Sequence, residues 1–308
     1  MTNYLGLDVG GTKVAVGVVD ERGGVRGRRE RSTAACRAGG DPLAELISLG
    51  REALQAAGTP SLTGVGLALP GPVERETIRM RAAPTIPEFL DLALGPPLEA
   101  AFGARVAGDN DANACALAEA RFGAGQGSRW VVYFTVSTGI GGGIVVDGRV
   151  LRGTRGAAGE FGHQIVVASG GPLCDCGNTG CLEALASGRG IAARGRAIWT
   201  QEPDLTAVEL AERARGGDPG AVRIWEETVL YLGAGVANVI NLLDPDCVVL
   251  GGGVALGASD LLLEPLQALV RDRCMPSLHR EVPLRIAVLG ENVGIVGAAC
   301  LAMESRGV

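Results

Sequence analysis

The sequence predicts an α/β protein built from two related halves. Strand and helix patterns alternate along its 308 residues, as they do where helices cover a sheet. The segments GGTKVAVGVVD and TGIGGGIVVDG lie about 128 residues apart, and each joins a turn of small residues to a strand that ends at an Asp. The hydrophobic content of 47% and charged content of 20% are typical of a soluble chain large enough for two domains.

The first half is predicted to contain a hairpin with a glycine-rich tip, a helix, a buried strand and a second helix. Asp41 is expected to cap the first helix, while Pro70 and Gly71 stop the buried strand. The predicted elements are a strand to about Val9, a strand over Lys13 to Asp20, a helix over Pro42 to Ala57, the strand GVGLALPGPV, an irregular stretch from Arg81 to Pro97, and a helix from about Ala112 to Phe122. A domain boundary is expected near residue 108.

The second half repeats the hairpin in WVVYFTVSTGIGGGIVVDGRV and then alternates helices with strands. Helices are predicted near Ser187 to Trp199, Leu205 to Arg215 and Pro219 to Leu243, after Ser259, and from about Val293, with strands at CVVLGGG and LRIAVLG. The two halves therefore share a strand, turn, strand opening.

Charge and hydropathy exclude several classes of partner. The formal charge of −6 argues against a nonspecific grip on nucleic acid, which requires clustered Lys and Arg. The basic cluster from Arg26 to Arg31 is interpreted as a solvated strand or turn. The N-terminus shows no basic, apolar leader and no run of eighteen apolar residues occurs, so a cytoplasmic protein without a membrane partner is expected.

Three glycine-rich loops are candidates for phosphate or nucleotide binding. Backbone N–H groups surround a phosphate where side chains are small, which suits DVGGTK and VSTGIGGG, although tight hairpins need glycine as well. In the third loop, Gly251, Gly252 and Gly253 follow a strand and precede a helix. No loop fits the P-loop pattern. The third resembles a loose dinucleotide fingerprint, but its spacing is wrong for a dehydrogenase.

The segment GDNDAN places Asp109 and Asp111 before an apolar helix. One interpretation makes both residues N-caps. The other makes Asp111 the carboxylate that orients an acceptor hydroxyl in phosphoryl transfer. Asn110, and Glu160 further along the chain, offer polar groups suited to sugar hydroxyls.

The stretch around CDCGNTGC has the spacing of a metal site. Cys174, Cys176 and Cys181 lie within eight residues, and His163 completes a set of four N/S ligands for a tetrahedral zinc ion. A full shell leaves no place for substrate, so the zinc is expected to be structural. A disulfide, or three unrelated buried cysteines, are the alternatives.

The motifs LDVGGTK, DNDAN, VSTGIGGG, GEFGH, CDCGNTGCLE and LGGG follow one another through nearly the whole chain. Together they resemble the ROK family (repressors, open reading frames, kinases). The resemblance implies a duplicated ribonuclease-H-like fold of the actin-like ATPase kind, with two lobes and a cleft between them. It implies a small lobe over 1–108, joined by the C-terminal helix of 291–308, and a larger lobe over 109–290 that carries the zinc loop.

The resemblance also implies an ATP-dependent sugar kinase that uses Mg²⁺, with Asp111 as the catalytic base and Asp8 near the metal. Sugar contacts are implied at Asn110, Asp111, Glu160, His163 and Glu183. ATP contacts are implied at Asp8, Gly10, Gly11, Thr12, Lys13, Thr138, Gly139, Gly141, Gly142, Gly251, Gly252 and Gly253. Zinc at His163 would fix one imidazole nitrogen and orient the other toward a hydroxyl.

Two features depart from the family pattern. Thr85, in APTIPEF, stands where glucokinase-like members commonly carry Asn, which leaves the hexose open. The interval from His163 to Cys174 is one residue longer than expected, a small loop change that should not prevent zinc binding.

The expected function is phosphorylation of a hexose by ATP, with the 6-hydroxyl of glucose as the first candidate and a homodimer or homotetramer as the assembly. Alternatives are a kinase for N-acetylglucosamine, N-acetylmannosamine, mannose or fructose, and a non-catalytic sugar-sensing regulator. Repressor relatives carry a helix-turn-helix ahead of the first phosphate strand, for which the position of Asp8 leaves no room. Asp111 and both phosphate loops favour the kinase; another phosphoryl donor, such as polyphosphate, stays open.

Overall fold

The structure, a computed structural model, describes residues 2–38, 40–58, 61–81, 86–275, 282–305 and 307. The strands are β1 (Asn3–Val9), β2 (Lys13–Asp20), β3 (Val25–Ser32), β4 (Gly64–Leu69), β5 (Val73–Glu74), β6 (Arg79–Met80), β7 (Val106–Asn110), β8 (Trp130–Val136), β9 (Ile140–Val146), β10 (Arg149–Val150), β11 (Cys247–Gly251) and β12 (Leu284–Ile286). The helices are α1 (Thr33–Ala38), α2 (Pro42–Ala57), α3 (Gly95–Phe102), α4 (Asp111–Phe122), α5 (Leu182–Ala186), α6 (Gly188–Ile198), α7 (Ala207–Arg215), α8 (Pro219–Leu243), α9 (Gly253–Gly257), α10 (Ser259–Arg273) and α11 (Val293–Ser305).

Two five-stranded sheets repeat one topology. The first has the order β3-β2-β1-β4-β7 and the second the order β10-β9-β8-β11-β12. In the first, β1, β2 and β3 are antiparallel neighbours, while β4 and β7 run parallel to β1. In the second, β10 is antiparallel to β9, and β11 and β12 run parallel to β8. The matching order confirms the prediction of two related halves.

The chain forms two compact units. The first consists of Met1–Gly127, Gly143–Ala158 and Val288–Val308, and the second of Ser128–Gly142 and Gly159–Ala287. The lobes expected at 1–108 and 109–290 stay a prediction. By packing, α4 belongs to the first unit because it lies against α11.

Most of the predicted elements are confirmed. Helix α2 begins after Asp41, whose side chain accepts hydrogen bonds from the backbone N–H groups of Leu43 and Ala44, and the basic cluster lies on β3. The prediction missed the helices α1, α3, α5 and α9 and the strands β5, β6, β7 and β10, and it made β12 too long. Among the helices that the structure describes, none is both long and apolar enough to cross a bilayer.

Helix α11 packs directly onto the first sheet because glycines remove the side chains that would separate them. A Cβ atom on Gly66 would lie 1.6 Å from the carbonyl oxygen of Ala298, and one on Gly6 would lie 2.1 Å from that of Ile295. No side chain fits at such distances. The buried face of α11 therefore completes the core of the first unit.

Glu119 of α4 is a fully buried carboxylate that backbone donors satisfy. Its Oε2 accepts a hydrogen bond of 2.8 Å from the N–H of Ala124, and its Oε1 accepts bonds of 3.0 Å from the N–H groups of Val288 and Leu289. Hydrogen bonds to an ionised oxygen offset the cost of burying it. Glu119 thereby fixes the end of α4 to the segment that leads into α11.

Candidate active site

The carboxyl ends of three parallel strands gather polar side chains in the first unit. Asp8 of β1 pairs in register with Ala68 of β4, and Ala68 pairs with Asp109 of β7. Since neighbouring strands are about 4.8 Å apart, Asp8 and the residues that follow Asp109 share one edge of the sheet. Ligands of α/β folds bind at this edge.

Asn110, rather than either aspartate, caps helix α4. Its Oδ1 accepts hydrogen bonds from the N–H groups of Ala112 and Asn113 at 2.9 and 3.4 Å, and its Nδ2 donates to the carbonyl oxygen of Gly71 at 3.3 Å. The interpretation of Asp109 and Asp111 as N-caps is therefore wrong. Asp111 is instead the first residue of the helix, where the helix dipole stabilises a carboxylate anion.

Asp109 has a structural role. It is buried, its Oδ2 lies 2.5 Å from Nε of Arg152, and its Oδ1 accepts a bond of 3.1 Å from Nδ2 of Asn113. Arg152 also pairs with Glu304 of α11. A buried carboxylate with these partners holds β7 and α4 in place.

Asp8 lies among groups of both charges. Burial, and to a smaller extent the charge of Asp111, raise the pKa of its carboxyl to about 7, although the charge of Lys13 acts in the opposite direction. A Cβ atom on Gly294 of α11 would lie 2.1 Å from Oδ2 of Asp8, so the N-terminal turn of that helix also borders the carboxyl. The arrangement suits a carboxylate that is ionised only beside a cation.

The first predicted phosphate loop is the tight turn between β1 and β2. The N–H of Gly10 donates to the carbonyl oxygen of Lys13 at 2.9 Å, and Thr33 Oγ1 donates to the carbonyl oxygen of Gly10 at 2.7 Å. Gly11 and Thr12 are exposed at the tip. The Nζ of Lys13 lies 3.0 Å from Oε2 of Glu30, which is an exposed ion pair and contributes little to stability.

The second predicted loop is the turn between β8 and β9, residues 137–140. The N–H of Ile140 donates to Oε2 of Glu183 at 2.8 Å, and the N–H of Gly188 donates to the carbonyl oxygen of Ser137 at 2.7 Å. A Cβ atom on Gly139 would lie 2.5 Å from Oε2 of Glu183. Helices α5 and α6 thus hold this turn from one side.

Several of the predicted ATP-binding glycines are explained by packing. A Cβ atom on Gly142 would lie 2.2 Å from the ring of Phe161, which stacks on Phe134, and one on Gly251 would lie 2.2 Å from the hydroxyl of Tyr133. Gly252 has a φ of +86°. At Gly253, the first residue of α9, a Cβ would meet only Ser137 Oγ, at 3.8 Å, among the described residues.

A cavity of about 390 Å³ in the second unit joins the second and third loops. Thr138, Gly253 and Val254 line it together with Arg189 of α6 and Asp204. The sequence prediction missed Arg189 and Asp204, and nothing in the local pattern marks either residue. A cavity with backbone at one end and a cation beside it can accept the phosphates of a nucleotide.

The four predicted metal ligands lie together. Cys174, Cys176, Cys181 and His163 place their ligand atoms within 4.8 Å of one another. The Sγ atoms of Cys176 and Cys181 are 3.7 Å apart, and Sγ of Cys174 is 3.7 Å from Nδ1 of His163. Zinc bound to thiolates at about 2.3 Å in tetrahedral geometry requires an edge of about 3.8 Å between sulfurs. The residues therefore fit zinc.

The thiols of this cluster need a cation to ionise together. Burial raises the pKa of Cys181 to about 12 and also raises that of Cys174. The backbone N–H of Asn178 lowers the pKa of the exposed Cys176. A bound metal supplies the positive charge that lets all three sulfurs bind as thiolates.

His163 points its two ring nitrogens in different directions. Nδ1 faces the cysteines, while Nε2 lies 3.9 Å from Oε2 of Glu160, which is exposed. Glu183 approaches the cluster as well, because its Oε1 is 3.9 Å from Sγ of Cys174. The structure therefore brings Glu160, His163 and Glu183 into one neighbourhood in the second unit.

Comparison with known proteins identifies the family. Residues 4–305 match the ROK family, and the chain belongs to it. It is 36% identical to a glucokinase of Streptomyces coelicolor over 97% of both sequences, and 35% identical to an N-acetylmannosamine kinase of Citrobacter koseri over 98% of this chain and 99% of that one.

Solved structures have the same fold. A ROK hexokinase from Thermus thermophilus is 39% identical, with a TM-score of 0.89 over 100% of both chains. A ROK family glucokinase from Streptomyces griseus, in complex with glucose and AMPPNP, is 35% identical, with a TM-score of 0.79 over 98% of this chain and 99% of that one. The fold is thus the duplicated, actin-like α/β fold of ROK sugar kinases.

The environment of Asp8 predicts a pH dependence of stability without Mg²⁺ or nucleotide. The folded protein keeps the proton up to about pH 7, whereas the unfolded chain releases it near pH 4. The free energy of unfolding should therefore fall as the pH rises through this window. Because the side chain keeps partial contact with solvent, we expect a loss of roughly 2 to 4 kcal/mol in urea unfolding experiments.

Two variants test the assignment of this slope to Asp8. Asp8→Asn cannot ionise and should flatten the slope between pH 4 and pH 7. Asp91→Asn changes an exposed carboxyl and should leave it as in the wild type. If Asp8→Asn keeps the wild-type slope, a different group is responsible.

Proposed function

We propose that the protein is an ATP-dependent hexose kinase that phosphorylates the 6-hydroxyl of glucose. The observation that carries the proposal is Asp111, a carboxylate at the start of α4 and at the sheet edge that also presents Asp8. Membership of the ROK family and full-length likeness to glucokinases support it.

Asp111 acts as the base. It accepts the proton of the sugar hydroxyl while that oxygen bonds to the γ-phosphorus of ATP, and the bond from this phosphorus to the β,γ-bridging oxygen breaks to release ADP. Phosphoryl transfer depends more on orientation of the acceptor than on strong basicity. Because Asn110 caps the helix, the carboxylate of Asp111 can face the substrate.

Asp8 holds the divalent cation in this proposal. Mg²⁺, when bound, neutralises charge on the β- and γ-phosphates. The raised pKa of Asp8 fits a carboxylate whose anionic form needs a cation beside it. Gly11 and Thr12, at the exposed tip of the first turn, add backbone N–H groups for phosphate oxygens.

For the second unit we propose nucleotide and sugar contacts of its own. The cavity lined by Thr138 and Gly253 takes the nucleotide, and Glu160, His163 and Glu183 hold sugar hydroxyls. His163 would be ligated to structural zinc through Nδ1, which leaves Nε2 for a hydroxyl. The zinc does no chemistry itself, because Cys174, Cys176 and Cys181 complete its shell.

A second candidate is a kinase for N-acetylmannosamine, which the likeness to the Citrobacter koseri enzyme favours. Thr85, at the position that distinguishes glucokinase-like members, lies outside the described residues. The chemistry at Asp111 is the same for both sugars. We further propose a cytoplasmic homodimer or homotetramer.

Turnover of a panel of hexoses with ATP and Mg²⁺ tests the proposal directly. Glucose should give the highest kcat/KM, ahead of mannose, fructose and the two N-acetylhexosamines, with ADP release as the readout. Preference for N-acetylmannosamine would select the second candidate. Absence of turnover with every sugar would refute the kinase assignment.

Replacing the base should remove turnover and leave binding. Asp111→Asn keeps the size of the side chain but cannot accept the proton, so we expect kcat to fall by a factor of roughly 10² to 10⁴ with the Kd for glucose within about threefold of the wild-type value. Calorimetry measures the Kd. Asp147→Asn, at an exposed hairpin turn, is the matched control, and retained turnover in Asp111→Asn would assign the base to another residue.

Removing the metal should weaken both stability and sugar binding. Chelation, or Cys176→Ser, should lower the melting temperature and raise the Kd for glucose by roughly tenfold or more, since His163 loses its orientation. Zinc content is measured in the same samples. Cys274→Ser, outside the cluster, should bind zinc as the wild type does. Loss of zinc with both properties unchanged would refute this role.

A further inference from the structure

Arg189 connects the cysteine loop, residues 174–181, to the turn between β8 and β9. Its Nη1 pairs with Oδ2 of Asp175, which lies between two cysteines of the cluster, and its Nη2 lies 3.5 Å from Oε1 of Glu183. Its own backbone N–H donates to the carbonyl oxygen of Thr138 at 3.3 Å. One residue thus contacts the loop, the turn and the carboxylate next to both.

The two carboxylate oxygens of Glu183 contact different partners, one in the turn and the other Arg189. Oε2 accepts the N–H of Ile140 at 2.8 Å, while Oε1 faces Arg189 and, at 3.9 Å, Sγ of Cys174. Its side chain is only 14% exposed, so its position is set by these contacts. A displacement of Arg189 would therefore move the turn in two ways, through Glu183 and through the backbone hydrogen bond to Thr138.

The charges of Arg189, Asp175 and Glu183 affect the binding of phosphates in the cavity. Ser137 and Thr138 of this turn line the cavity together with Arg189 and Gly253. Without the guanidinium, the carboxylates of Asp175 and Glu183 would repel the phosphates of a nucleotide. Arg189 offsets this negative charge while it holds both carboxylates.

The link is too exposed to be explained as a source of stability. The side chains of Asp175 and Arg189 are 71% and 52% exposed, and exposed ion pairs contribute little to the free energy of folding. Their geometry nevertheless spans two functional segments. A role in positioning accounts for this placement better than a role in folding.

We infer that Arg189 is a positioning residue that fixes residues 137–140 in the shape that binds the phosphates of a nucleoside triphosphate. Asp175 makes this shape depend on the cysteine loop with its metal bound. The inference rests on the proposed function, because that proposal places a nucleotide in the cavity. The cysteine loop then supports nucleotide binding through Arg189, in addition to supporting the sugar contact through His163.

Arg189→Ala tests the link at the side of the turn. We expect the KM for ATP, and the Kd for AMPPNP in calorimetry, to rise roughly tenfold or more, with a clearly smaller rise in the KM for glucose because Arg189 also contacts Glu183. Zinc content and melting temperature should stay at wild-type levels. Arg223→Ala, which breaks an exposed ion pair on α8, is the matched control and should change none of these quantities.

Asp175→Asn tests the link at the side of the loop, and it should raise the KM for ATP in the same direction by a smaller factor. Wild-type ATP and AMPPNP affinities in Arg189→Ala would overturn the inference. So would equal losses for ATP and glucose accompanied by loss of zinc, since Arg189 would then only support the loop. A wild-type protein that binds no AMPPNP would instead refute the proposed function, and the inference with it.

Discussion

The close approach of α11 to the first sheet is the constraint on which the first unit depends. Gly66 and Gly6 leave room for the carbonyl oxygens of the helix at distances that exclude any side chain. This contact also brings the start of the helix, at Gly294, against Asp8 at the edge of the sheet. A helix N-terminus favours negative charge, so the packing that completes the core also provides part of the electrostatic environment of the carboxyl.

Asp8 and Asp111 lie at one edge of the first sheet, and the proposed function gives the two carboxylates different roles. Asp8 is held in a strand among buried neighbours, and burial raises its pKa, which suits a group that is ionised in the presence of a cation. Asp111 begins a helix whose cap is supplied by Asn110, and a helix N-terminus favours the anionic form of a carboxyl, which is the form that can accept a proton. Different environments thus suit the two aspartates to the different functions proposed for them.

Most of the fold could be predicted because strand and helix periodicity are local, and both the paired hairpins and the bounds of α2 and α8 follow from such patterns. Strand β7 could not, since its buried Asp109 pairs with Arg152, which is more than forty residues away in the sequence. The cap was misassigned because Asp and Asn serve equally well at this position. The predicted site residues lie in clusters, yet Arg189 was missed because its partners come from separate loops.

The glycine-rich loops also show why residue type does not by itself identify a ligand contact. Gly142 and Gly251 are needed by aromatic neighbours in the core, Phe161 and Tyr133, whereas Gly253 opens toward the cavity. A loop that must both pack against a core and approach a phosphate requires glycine at both kinds of position. The shape of such a loop therefore depends on the core residues that pack against it as well as on its ligand. Glu183 and Arg189 contact residues 137–140, and Arg189 also pairs with Asp175 between the cysteines, so the inferred link between the cysteines and a nucleotide needs no direct contact between them.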